Sequence, residues 1–477
     1  MQERSLTYFV EACHGKLAGG MPQASVCGVS TDSRTIRNGE LFIALVGEKF
    51  DGHKFIEAAI QKGAIAIVVE RSRVCESDIE KWSRRIGVVV VENTKTALGN
   101  IASHYRKDFD IPIIAVCGSN GKSTTKELIA SVLGQRNETH KSPASFNNDI
   151  GVPLTLLGIE PRHKAAVIEV GTNHPGELKP LLDMVVPRYG VLTMIGREHL
   201  GFFGSLEVVA REEGTLAEVL PPEGKLFVCE QEEIGGGTAL EDLILNSVLS
   251  RCRAPVITVG LGGTTSNWRA RLLKTAIDKT QFYVECPQGD YSGEYEVNLP
   301  GRHQITNALL AIAIGAEFGL TRDEIRSGLK NATPPSMRMQ CQRWRGALIL
   351  NDAYNANPDS MKAALRTLSE LECEGKKIAV IGTMAELGNY SDTAHKEAGE
   401  LAAKFGINSV IAVGEFARLI AEAAKNAGVG DVFICEDAKS AAERLKAICR
   451  SGDLVLIKAS RSAKLEKTLE FLSSEQS

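Results

Sequence analysis

The sequence predicts an α/β protein in three parts. These are a small N-terminal α/β domain (residues 1–96), a central P-loop-type domain with a parallel sheet (97–331) and a C-terminal Rossmann-like domain (332–477). Three observations lead there. At 477 residues the chain exceeds what one ordinary core organises. Continuous apolar runs of strand length alternate with helical stretches, the pattern of buried parallel strands joined by crossover helices. One of those strands runs through a glycine-containing loop into a helix, the order of a phosphate-binding loop.

Between Gly28 and Glu70, the apolar stretches LFIAL and AIAIVVE alternate with turn clusters such as GEKFDGH, which makes a small α/β unit. TALGNIASHYRKDF then reads as a connecting helix. IPIIAVCG is a buried strand, and GKSTTKELIASVLGQ a helix with Leu128, Ile129, Val132 and Leu133 on one face. AAVIEVG, ending at Gly171, and YGVLTMIG, ending at Gly196, are further buried strands with a helix between them. From Pro255 to Pro300 the pattern turns to alternating strands, QFYVEC and EYEVNL. QITNALLAIAIGAEFG returns to an apolar helix, and the central domain ends near Asn331. Beyond it ALILNDAY, KKIAVIG, NSVIAVG, DVFICED and DLVLIKAS alternate with helices, a doubly wound arrangement without the GxGxxG of a dinucleotide fold.

Composition narrows the function classes. Hydrophobic residues at 43% and charged residues at 24% are the mixture of a globular protein. No apolar run approaches the roughly 20 residues that span a bilayer, and MQERSLTYFVEACHGKL lacks a basic start followed by an apolar stretch. The 11 cysteines are odd in number and form no CxxC, which suits a reducing compartment. The net charge is -4 and no Lys/Arg block interleaves with aromatics, so no nucleic-acid partner is expected. A cytoplasmic monomer without membrane insertion is the expectation. Apart from the polar tail SSEQS there is no low-complexity tract.

The chemistry begins at CGSNGKSTTKE. Gly118, Ser119, Asn120, Gly121, Lys122, Ser123 and Thr124 lie between strand and helix, where backbone N–H groups surround phosphate oxygens. Lys122 would reach the terminal phosphates and Ser123 would ligate magnesium. Val116 stands where GxxxxGK[ST] has its first glycine, so a chance Gly-Lys-Ser turn is the competing reading. Glu169 ends a buried strand, where open α/β sheets bind ligands, and His199 lies just beyond another. Alone, Glu169 reads equally as the cap of a turn and His199 as a satisfied, partly buried histidine. After a phosphate loop, metal ligation gains weight. In NDAYNANPDSMKAA, the run from Asn351 to Pro358, with Asn355 and Asn357, ends a strand before a helix. It is either a binding loop or turn chemistry with Asp359 or Ser360 as the helix cap.

Together GSNGKSTT, VIEVGTNHPGE, GREHLGFFGS, GRHQITNALLAIA and DAYNANPDS resemble the Mur ligases of bacterial peptidoglycan synthesis, and the likeness runs from about Gly28 to Glu466. STDSRTIRNGELFIALVGEKFDGHKF is similar to the family's UDP-sugar domain. NHPGE, AYNANPDSM, GTMAELG and KASR resemble the member that acts last. The resemblance implies ATP and Mg2+ as cofactors, with UDP-N-acetylmuramoyl-tripeptide and D-alanyl-D-alanine as substrates. ATP would phosphorylate the tripeptide carboxylate and the dipeptide amine would displace the phosphate. It further implies that Glu169 and His199 bind magnesium, that Asn307 contacts adenine, and that Arg338 and Asp352 hold ATP from the third domain. Ser33, Arg34 and Asn147 fall on the UDP-sugar side. Lys458, Ser460 and Arg461 would touch substrate or product, or form a plain loop.

The sequence departs from the family where a lysine usually becomes a carbamate that helps hold magnesium. There is no lysine from Pro180 through Gly224, and Glu213 occupies the aligned position. Its carboxylate is expected to replace the carbamate, the alternative being a solvated charge on a helix. Met337 stands where a glycine often precedes the arginine, Thr383 for an aspartate and Ala459 for a glycine. A sibling Mur-type amino-acid ligase and a catalytically impaired regulatory homologue are the competing functions.

Overall fold

The computed structural model describes residues 1–47, 49–230, 246–262, 266–287 and 289–473, so the tail beyond Ser473 lies outside the described residues. Contacts divide the chain into two compact units. One comprises residues 1–115, 137–171 and 179–188, the other 116–136, 172–178 and 189–477.

In the first unit a five-stranded sheet runs Lys16–Gly19, Gly87–Val91, Ala66–Glu70, Glu40–Ile43, Gly28–Ser30. Its first pair is antiparallel and the rest are parallel. Phe42, Ile67 and Val88 from its strands pack with Ile56 and Trp82 from flanking helices, the small α/β unit that the alternating stretches predict. The connecting helix is Thr94–Arg106. Asn93 accepts the Thr96 N–H at 2.9 Å and caps it, and Leu98, Ile101, Ala102 and Tyr105 form its buried face. Thr139–Lys141 and Ala165–Glu169 pair in parallel in the same unit.

In the second unit Tyr189–Leu192, Lys225–Cys229, Val256–Leu261 and Trp268–Thr275 are parallel neighbours, and Thr280–Glu285 and Gly293–Val297 follow antiparallel. The helix His303–Glu317 is buried on nearly every side, as its continuous apolar sequence requires, and packs on the helix Lys122–Leu133. The C-terminal sheet runs Gln340–Trp344, Ala347–Asn351, Leu454–Lys458, Lys377–Ile381, Ser409–Val413, Asp431–Cys435, with only the first strand antiparallel. Its side chains alternate between two cores. Leu350, Ala379, Ile381, Val410 and Leu456 face one; Ile349, Ile378, Val380, Ile411 and Ile457 face the other. The doubly wound reading is thereby realised. The strand order also brings the carboxyl ends Asn351, Lys458 and Ile381 side by side, so the three loops that follow them meet.

Candidate active site

The phosphate loop is built around two glycines. Gly118 has φ +118°, and a Cβ there would sit 2.8 Å from the Met194 carbonyl. Gly121 has φ +86°, and its Cβ would meet Asn307 Oδ1 at 2.6 Å. The loop is tied to the end of the strand Tyr189–Leu192. Ser119 N–H donates to Met194 O (2.6 Å), the Thr193 hydroxyl to Asn120 O (2.6 Å), and Gly196 N–H to Ser119 Oγ (2.9 Å). The helix Lys122–Leu133 starts at Gly121 with Ser123 and Thr124 buried in its first turn. N–H groups of a first turn have no acceptor within their helix and so face an anion.

Acidic side chains gather beside the loop. Glu213 ends the helix Leu206–Glu213, is 1% exposed, and accepts the Gly118 N–H at 2.7 Å through Oε2. Its Oε1 is buried without a hydrogen-bond partner. Burial pushes its pKa up to about 8, Glu198's charge adds to the rise, and Lys122 opposes it. Glu198 is buried as well, with its pKa raised by burial. Its Oε1 is 3.7 Å from Lys122 Nζ and its Oε2 is 3.8 Å from His199 Nε2. The Lys122 ammonium also reaches the Gly118 carbonyl. His199, at φ +50°, donates from Nδ1 to Glu386, whose pKa that bond lowers.

Sequence reasoning named His199 and Glu213 but missed Glu198 and Glu386. The available signals were a glutamate next to the strand-end histidine and the glutamate of GTMAELG. The orphaned Glu213 oxygen and its anionic surroundings fit a hard divalent cation. Among the described residues no three His, Cys, Asp or Glu side chains form an ion cage by themselves. Magnesium is ordinarily held through one or two carboxylates plus phosphates and water.

Arg338 Nη2 is 3.2 Å from Ser123 Oγ, and its guanidinium lies 4.5 Å from the Tyr354 ring centroid. Asp352 accepts the Met339 N–H (3.1 Å) and the buried Lys458 ammonium (2.6 Å), which also reaches Asn355 O (3.0 Å). Ser460 donates to Ala356 O (3.0 Å) and accepts from Ala385 N–H (2.8 Å), so it splices two of the converging loops. Arg461 pairs with Glu466 at 2.7 Å. Asn355 Oδ1 accepts the Ala356 N–H at 2.9 Å. The cap of the helix Pro358–Glu370 is neither Asp359 nor Ser360 alone. It is Asn357, which exchanges hydrogen bonds with Ser360 in a capping box. Asn307 is buried between Thr125 (3.2 Å) and Gln304 (2.9 Å), behind Gly121.

In the other unit Glu169 ends its strand buried. Asn147 Nδ2 donates to its Oε1 at 3.0 Å, and its own N–H donates to Ser142 Oγ at 2.9 Å. Asn147 therefore orients Glu169 directly, which the sequence does not reveal. Ser33 lies in the turn after the strand Gly28–Ser30. Arg34 is 86% exposed and forks onto Asp32, whose pKa that hydrogen bond lowers to about 2.

A phosphate loop, a buried acidic cluster beside its lysine, and an arginine delivered from a doubly wound sheet define an enzyme of the nucleotide-dependent phosphoryl-transfer class. Residues 25–106 match the family description "Mur ligase family, catalytic domain", 116–315 "Mur ligase middle domain", and 337–461 "Mur ligase, glutamate ligase domain". The chain is 34% identical over 475 residues to the UDP-N-acetylmuramoyl-tripeptide--D-alanyl-D-alanine ligase of Bacillus subtilis (strain 168), with 99% of each chain covered. To the enzyme of that name from Escherichia coli (strain K12) it is 33% identical, with 98% of each covered. A crystal structure of MurF from Acinetobacter baumannii superposes with a TM-score of 0.85 at 27% identity, covering 99% of each chain. MurF ligase from Thermotoga maritima in complex with ADP gives 0.78 at 25%, covering 94% of this chain and 97% of that one. The chain belongs to the Mur ligase family.

Proposed function

We propose that the protein is an ATP-dependent ligase that joins D-alanyl-D-alanine to UDP-N-acetylmuramoyl-tripeptide, forming UDP-N-acetylmuramoyl-pentapeptide for the cell wall. The observation that carries this reading is likeness over the full length to ligases of that name, in a chain whose phosphate loop keeps Lys122 beside Glu198. The boundaries 1–96, 97–331 and 332–477 are proposed for its UDP-substrate, ATP-binding and Rossmann-like domains. No helix among the described residues is long and apolar enough to cross a membrane. A monomer working in the cytoplasm is the proposed form.

A carboxylate becomes an acyl donor only when one oxygen can leave as phosphate. A tripeptide carboxylate oxygen attacks the γ-phosphorus of ATP, ADP departs, and the dipeptide amine then attacks the acyl carbon and releases phosphate. In this scheme Gly118 to Thr124 hold the phosphates and Lys122 neutralises the transferring group. Arg338 and Asp352 hold the nucleotide from the third domain, and Asn307 contacts its adenine. Mg2+ supplies further charge neutralisation when bound; Ser123, Glu169, His199 and Glu213 would hold it. Ser33, Arg34 and Asn147 serve the UDP-sugar, and Asn355, Asn357, Lys458, Ser460 and Arg461 the peptide side.

The test is phosphate release and product mass with ATP, Mg2+ and either the diaminopimelate or the lysine UDP-tripeptide, with and without D-alanyl-D-alanine. Dipeptide-dependent phosphate release with a product one dipeptide heavier is expected. Release indifferent to the dipeptide would overturn the reading in favour of a regulatory homologue. A free diamino acid replacing the dipeptide would favour a sibling ligase.

A further inference from the structure

Arg197 immediately precedes Glu198 and His199, yet its hydrogen bonds among the described residues go elsewhere than to the phosphate loop. Instead its backbone N–H donates to Asp359 Oδ2 (2.6 Å), and Nε and Nη2 fork onto Asp359 Oδ1 (3.0 and 2.8 Å). Nη1 and Nη2 fork onto Glu397 Oε2 and Oε1 (2.7 and 3.1 Å). Asp359 lies in the first turn of the helix Pro358–Glu370, where a carboxylate suits the helix dipole, and Glu397 lies on the helix Ser391–Lys404. The approach is close enough that a Cβ at Gly196 would stand 2.7 Å from Asp359 Oδ2. One guanidinium therefore spends its donors on two carboxylates from two helices, a geometry that lysine cannot reproduce.

We propose that Arg197 is a positioning residue of the ligation. It fixes the Glu198–His199 segment to the helix that Asn357 caps, so that the activated acyl group and the incoming amine meet in one frame. This rests on the ligase reading above. Phosphate transfer brings two groups together, ATP and the carboxylate, with Arg338 already reaching the loop; capture by the amine needs a third group in register before water arrives, so it is the step more sensitive to a loosened frame. Loosening the frame leaves the acyl phosphate exposed to water, which attacks the acyl carbon, releases phosphate and regenerates the carboxylate.

The experiment compares the parent enzyme with Arg197→Lys, Arg197→Gln and Asp359→Asn. It measures ADP affinity, thermal midpoint, KM for each substrate, and phosphate released per amide formed. Expected are ADP affinities within about twofold of the parent, KM for D-alanyl-D-alanine raised, and amide formation down about tenfold or more. The ratio of phosphate to amide should rise above one. The double variant Arg197→Gln/Asp359→Asn should be no worse than the worse single variant. If the ratio stays at one, or if KM for ATP rises in step with that for the dipeptide, Arg197 is merely structural and the proposal fails. If the parent itself forms no amide, the ligase reading fails instead.

Discussion

The carboxamides of Asn120 and Asn357 face each other. Asn357 Nδ2 donates to Asn120 Oδ1 at 2.9 Å and Asn120 Nδ2 to Asn357 Oδ1 at 3.3 Å. Asn357 Oδ1 also accepts the Ser360 N–H at 2.8 Å, so one side chain serves both the phosphate loop and the helix it caps. The two roles separate by substitution. Asn357→Ala loses the cap and should cost about 1 kcal/mol of stability in a denaturant titration. Asn357→Asp keeps a capping oxygen, and its stability should change by less than about 0.5 kcal/mol. It nevertheless places a negative charge against Asn120, and ADP affinity by calorimetry should fall about fivefold or more.

Gly121 offers a second prediction. At φ +86° an alanine is strained by about 1–2 kcal/mol, and its Cβ would press Asn307 Oδ1 off the hydrogen bond it accepts from the Thr125 hydroxyl. Gly121→Ala should lower the thermal midpoint and abolish measurable ADP binding. Asn307→Ala in the same background should recover part of the midpoint by removing the clash.

How far the sequence reveals the site follows from what is local. The strand-loop-helix at Gly118 to Thr124 and the buried strands each follow from a short stretch and form as the pattern dictates, whereas the helix Pro358–Glu370 is capped by Asn357, with Ser360 only reciprocating, and not by the Asp359 or Ser360 that the sequence suggests. Arg197, Glu198 and Glu386 act through residues as much as 200 positions away. Their roles depend on which strand ends are neighbours, and hydrophobic periodicity carries no information about strand order. The same limit separates Asn147, read as a sugar contact, from the Glu169 carboxylate it touches.

Met337 shows a local departure with a physical cost. It holds φ +56°, a conformation that suits glycine better than methionine, and Met339 holds φ +51°, so the backbone on both sides of Arg338 is left-handed. Arg461 Nη1 reaches the Met337 sulfur at 3.7 Å, a weak contact to set against the strain. Met337→Gly should therefore match or exceed parent stability in urea. Met337→Val, β-branched at positive φ, should cost about 1–3 kcal/mol and weaken ADP binding by disturbing Arg338.

His303 sets an acid limit. Burial pushes its pKa down to about 4; Asp352's charge works against the shift and Lys458's adds to it. Between its ordinary pKa near 6.5 and about 4, the unfolded chain binds a proton that the folded chain refuses. The stability linked to this group is whole above that window and is lost as pH falls through it. In His303→Gln the fall in unfolding free energy from pH 6.5 to 4 should be shallower than in the parent. Equal slopes would assign acid sensitivity to other groups.

Glu213 separates a cation role from a structural one. With its pKa raised to about 8, chiefly by burial, the folded protein holds this proton from the ordinary carboxylate range up to about pH 8. The stability so gained is whole below that ordinary range and is lost as pH rises through 8. Glutamine mimics the protonated form. Metal-free Glu213→Gln should therefore unfold with the parent at about pH 4, where the group is protonated in both states, and prove increasingly more stable than it as pH rises toward 8. Magnesium reverses the comparison, because a cation favours the carboxylate that glutamine lacks. The half-saturating Mg2+ concentration for ligation should rise about tenfold in Glu213→Gln. Glu213→Ala leaves room for a small carboxylate, so added acetate should restore part of its activity. Full activity in Glu213→Ala without acetate would show that this buried oxygen does not serve the cation.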